Sequence, residues 1–181
     1  MKKIFIPSLI LLAFILVKCN SEVKTEAESN SETEQTIDLG NVDEIDMGEH
    51  GFQIIIKVPA SGSTIPKPTI DVLDWGAVEV RVGNNFQIQI SASAGDVTQR
   101  KEDIGLDDVF ETTFIIEEEN ALLYSSKIRG TDLEPEYHFY VIISDGTKAY
   151  ETEDIKGEVF SKKVTERMFN LAKAIKIKPA I

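Results

Sequence analysis

The sequence predicts an α+β domain in which an antiparallel meander of strands is flanked by helices, preceded by an N-terminal export segment and an acidic tether. Three observations carry this. Apolar residues alternate with polar ones in several short runs after Gly51, tight-turn residues join those runs, and two stretches change to helical spacing. At 181 residues the chain suits one domain with appendages, divided as 1–18 (signal), 19–49 (tether) and 50–181 (domain).

In the first strand Phe52, Ile54, Ile56 and Val58 share one side, and Pro59 ends it. Ser61 to Pro68 is a turn-rich connection, and Ile70 to Trp75 follows. A hairpin then sets Val78, Val80 and Val82 against Phe86, Ile88 and Ile90 across Gly83-Asn84-Asn85. Glu79, Arg81, Gln87 and Gln89 point the other way, so its second face is wet or covered by something polar.

Asp96 is placed to cap a short helix, with Gln99 as capping-box partner and Gly105 closing it after Ile104. Four more strands follow, Val109–Ile116 with Ala121–Ile128 and Tyr137–Ser144 with Ala149–Asp154, the second pair joined through Asp145-Gly146. The last element is a helix capped by Ser161, with Val164, Met168, Leu171, Ala172 and Ile175 on one stripe. The series Lys173, Lys176 and Lys178 reads as a solvated helix end, where cations complement the helix dipole.

The N-terminus reads as an address. Met1-Lys2-Lys3 is basic, and the apolar run Ile4 to Val17 would span about 21 Å as a helix, short of the roughly 30 Å hydrocarbon core of a bilayer. The run ends Leu16-Val17-Lys18-Cys19, which resembles the lipobox of bacterial lipoproteins, where the signal is cut before a cysteine that is then acylated. Lys18 departs from the small residue usual at that position. The resemblance implies attachment to the membrane through a palmitate-type lipid on Cys19, in the cell envelope, and Asn20 leans toward the outer membrane. Between Asn20 and Glu49 there are ten Asp/Glu against the single Lys24, the composition of a disordered, self-repelling tether; Ile37, Leu39, Val42 and Ile45 are placed to begin packing on the domain.

The phrase Gly51-Phe52-Gln53-Ile54-Ile55-Ile56-Lys57-Val58-Pro59, with this order of elements up to about Ile177, resembles the PsbP/DcrB/LpqN family. In those proteins such a strand opens an antiparallel sheet sandwiched by helices. The resemblance implies a non-catalytic binding or assembly accessory of the envelope; it carries no catalytic motif.

A net charge of −12 disfavours nucleic acid as a partner. One cysteine rules out an internal disulfide, and with His50 and His138 as the only histidines no metal or cofactor site is expected. Strand alternation sets His138 beside Tyr140 and Ile142, the setting of a packed structural histidine more than of a catalytic one. Asp103, Asp107 and Asp108 lack the order of a calcium loop, and Glu117 to Glu119 read as solvated charge. Trp75, bracketed by Asp71 and Asp74, reads first as core; exposed, it would be a binding candidate for a protein or glycan partner. The alternative function is a small hydrolase or carbohydrate-processing enzyme using paired carboxylates.

Overall fold

The computed structural model describes residues 40–179. The signal segment, Cys19 and most of the tether lie outside the described residues. Among the described residues, ten strands, two α-helices and a 3-10 turn make a mixed α+β fold with two antiparallel sheets. Strands β1 (Val42–Asp46), β2 (Ile54–Pro59) and β10 (Lys176–Ile177) form the smaller sheet, in the order β1-β2-β10. The seven-stranded sheet has the order β3-β4-β5-β9-β8-β7-β6. Its strands are β3 (Thr69–Val72), β4 (Val78–Arg81), β5 (Gln87–Ser91), β6 (Phe110–Glu118), β7 (Ala121–Ile128), β8 (Glu136–Ser144) and β9 (Ala149–Asp154).

The sheet is not one continuous meander. After β5 the chain passes through α1 (Val97–Gly105) to β6 at the far edge, then returns strand by strand until β9 pairs with β5. The tight hairpins are as the turn residues predict. Val78 faces Ile90 and Val80 faces Ile88, and Asp145 donates its backbone N–H to Lys148 across a turn in which Gly146 has φ 84°.

The core lies between one face of the large sheet, the β2 side of the small sheet and α2 (Lys162–Lys173). Phe52, Ile54, Ile56 and Val58 are all buried, as their alternation requires, each contributing about 1.5–3 kcal/mol of burial. On α2 the predicted stripe is inward, but Thr165 and Phe169 are buried as well; Phe169 meets Phe139 edge-on with ring centroids 6.4 Å apart. Ser161 is the N-cap by position, with no side-chain hydrogen bond to the helix.

Three expectations need correction. Strand β1 lies within the stretch assigned to the tether: Val42 through Asp46 pair with Pro59 through Ile55, and Met47 is fully buried. The lysine series is not a free helix end, because Lys176 and Ile177 form β10 against β2. Lys178 Nζ lies 2.7 Å from Asp46, Lys176 Nζ 3.6 Å from Glu44, and Lys173 holds Glu118. The carboxyl of Asp46 is held below its usual range by the Lys178 hydrogen bond and the Gly48 amide. Finally, Trp75 is not core. It is 63% exposed in the turn between β3 and β4, beside the exposed Val72.

Candidate functional site

The face of the large sheet that looks away from the core is polar and aromatic, and among the described residues α1 packs on it at β7 and β8. Cross-strand register sets its side chains in rows. Phe114, Tyr124 and His138 form one row, Thr112, Ser126 and Glu136 the next, and Phe110 opposite Ile128 the last. A bulge between Phe114 and Ile116 makes this arrangement fit: Phe114 stays on this face, Ile116 joins the core, and Ile115 is the extra residue.

Asp96 caps α1 by accepting the backbone N–H of Gln99 at 3.0 Å. The reciprocal half of the predicted box is replaced, as Gln99 Nε2 donates to Asp103 at 2.8 Å. Gly105 lies inside the helix, and Leu106 is the residue that ends it. No residue of α1 is buried, so polar contacts fasten it to the sheet. Arg100 pairs with Glu153 and lies 5.2 Å from the Tyr140 ring centroid; Lys101 pairs with Glu117 and lies 5.2 Å from that of Phe114.

Beside α1 this face opens into a groove of about 470 Å³. The sheet lines it with Phe110, Thr112, Tyr124, Ser126, Glu136 and His138; Arg100, Asp103 and Asp107 line it from α1 and the turn after it, with Lys156. A depression of about 610 Å³ along α2 is larger, but it is formed by helix side chains such as Lys163, Glu166 and Arg167 and bordered by Gly40, the first described residue. The groove beside α1 is the better candidate, because fixed groups converge on it.

His138 is the most constrained of these groups. Its Nδ1 donates to Asp154 Oδ2 at 2.8 Å, while Asp154 Oδ1 accepts the Phe139 backbone N–H at 2.8 Å, so both carboxylate oxygens are engaged. Nε2 is left toward the groove, 3.8 Å from Glu136. Burial works against the charged ring, but the Asp154 hydrogen bond and the charges of Asp154 and Glu136 outweigh it, raising the His138 pKa above its usual value. Burial likewise pushes the Tyr124 hydroxyl up to about 12, with the Asp154 charge adding to it. Burial raises Tyr140, helped by its hydrogen bond to Glu151, and raises Glu153 against the opposing charge of Arg100.

Among the sequence candidates, the structure brings His138 together with Asp103 and Asp107, and leaves Trp75 apart at a hairpin tip. Sequence reasoning missed Arg100, Tyr124, Glu136 and Asp154. Alternation placed His138 on the face of Tyr140, but the crossover that sets α1 over that face joins residues with no local signal. Among the described residues no group of His, Cys, Asp and Glu is arranged to hold a metal, and none of their helices is long and apolar enough to cross a membrane. Comparison with protein-family models, curated protein sequences and solved structures gave no match.

Proposed function

We propose that the protein is a lipid-anchored binding or assembly accessory of the cell envelope, attached through Cys19, with its recognition site in the groove beside α1. The groove carries this reading. At about 470 Å³ it is within the range of small-ligand sites, roughly 300–1,000 Å³, and its aromatic and polar groups are held in place by strand register and by the Asp154 and Glu153 contacts. Two antiparallel sheets with two helices are compatible with the PsbP-like sandwich, and the finer assignment to that family is part of this proposal. The lipobox-like Leu16-Val17-Lys18-Cys19 supports the lipid anchor, and Asn20 after it supports an outer-membrane address.

The anchor is tested by growing a bacterial host expressing the full chain, or Cys19→Ala, with an alkynyl palmitate. Label that depends on Cys19 supports the anchor, and label absent from both proteins overturns it. A hydrolytic reading has one specific observation in its favour, the His138–Asp154 pair with Nε2 toward an open groove. Ester hydrolysis by the wild type that disappears in His138→Gln would support it over the binding reading.

A further inference from the structure

The charges around the groove divide into those already used and those a ligand would meet. Arg100 is paired with Glu153, and His138 is bonded to Asp154; neither carboxylate lines the groove. Lys156 stands at the side and acts on Glu153 through its charge, without an ion-pair contact. What the lining offers is therefore Asp103 and Asp107, with Glu136 shared with His138 Nε2 at 3.8 Å, beside the rings of Phe110 and Tyr124. Asp103 and Asp107 each accept one local hydrogen bond, from Gln99 and from the Val109 amide, and keep further acceptor capacity.

The same face already shows how it takes a cation. Two positive side chains of α1 lie against its aromatic rings and next to its carboxylates: Arg100 at Tyr140 with Glu153, and Lys101 at Phe114 with Glu117. Phe110 and Tyr124 with Asp103, Asp107 and Glu136 repeat that combination of ring and carboxylate in the open part of the face.

We infer that the groove binds an organic cation, an ammonium or guanidinium group held between the Phe110 and Tyr124 rings and the carboxylates of Asp103, Asp107 and Glu136. This rests on the reading of the groove as the recognition site. The cation could come from a free polyamine or from a basic peptide side chain, and the two are distinguished by the probes.

The full-length protein in detergent is titrated with spermidine and, separately, with arginine amide, at about 0.1 M salt so that loose attraction to the acidic chain is screened. Inorganic phosphate and N-acetylglucosamine are the anionic and neutral probes. The NMR signals of the two histidines report binding, His138 at the groove and His50 on the turn after β1 as internal reference. The expected result is a saturable shift of His138 alone with one or both cations. Spermidine alone points to a free polyamine, and arginine amide alone to a guanidinium side chain. Glu136→Gln and Asp103→Asn should each weaken binding about threefold, whereas Lys156→Gln should strengthen it about threefold. These positions are at the surface, and an unchanged His50 signal checks that each variant is folded. A His138 shift with phosphate or sugar but with neither cation overturns the cation assignment and leaves the groove as the recognition site. No shift with any probe, equal shifts of His50 and His138, or the opposite order of variants also overturns it.

Discussion

At the scale of single residues, His138 shows how position outranks identity. Its strand and its face are legible in the alternation of Tyr137-His138-Phe139-Tyr140, but its partner is sixteen residues away on β9. Because the folded pKa is raised, the pair's contribution to stability is fully present below the ordinary histidine value of about 6.5 and is lost as pH rises through the folded value. Urea unfolding of wild type and His138→Gln should therefore differ most near about pH 5.5 and least near about pH 8.5. A difference that grows with pH would contradict this assignment of charge. A second position is set by space. Gly95 has φ +54°, and a Cβ there would lie 2.6 Å from the Tyr140 hydroxyl and 2.9 Å from Glu151 Cγ. Gly95→Ala should cost about 1–3 kcal/mol, read from the shift of the denaturation midpoint.

At the scale of elements, the two helices are held by opposite means. Phe169, buried against Phe139 in the middle of α2, should cost about 3–5 kcal/mol when truncated to alanine, with loss of the whole fold's cooperativity at moderate temperature. Helix α1 has no buried residue and depends on Arg100 and Lys101. Arg100→Met leaves the Glu153 carboxylate, 16% exposed, without its cation. Allowing for the partial exposure of both groups, the loss should be about 1–2 kcal/mol. Hydrogen exchange should place that loss mainly in α1, whose amides open first, while those of β7 to β9 stay protected. The helix ends also mark what a local pattern conveys. Asp96 is legible as a cap because the cap bond spans three residues, whereas the bulge at Phe114–Ile116 is not, since three apolar residues in a row do not say which of them turns to the core.

At the scale of the whole molecule, legibility follows sequence separation. Each hairpin is encoded by its own turn residues, so β4–β5, β6–β7 and β8–β9 follow from the sequence with nearly their observed bounds. The crossover that brings β9 beside β5, and the pairing of β10 with β2, are decided by which faces bury together across sixty residues or more, whereas β1 meets β2 locally and is hidden for another reason. Acidic composition hides β1 in particular: Asp43, Glu44 and Asp46 read as tether, and although Val42 and Ile45 pack on the core as their apolar character suggests, the strand they belong to and the fully buried Met47 after it are not legible. The charge that argues for solvation in isolation is matched here by lysines from the other end of the chain, Lys176 at Glu44 and Lys178 at Asp46. A chain beginning at Gly40 keeps this strand, and one beginning at Gly48 loses both the β1–β2 pairing and the Met47 side chain. Removal of a buried methionine side chain alone costs about 2–5 kcal/mol, so the shorter chain should unfold at least about 5 °C below the longer one in a thermal melt. Equal melting temperatures would mean that β1 adds nothing to the stability of the fold, and that the acidic stretch acts as tether up to Glu49 after all.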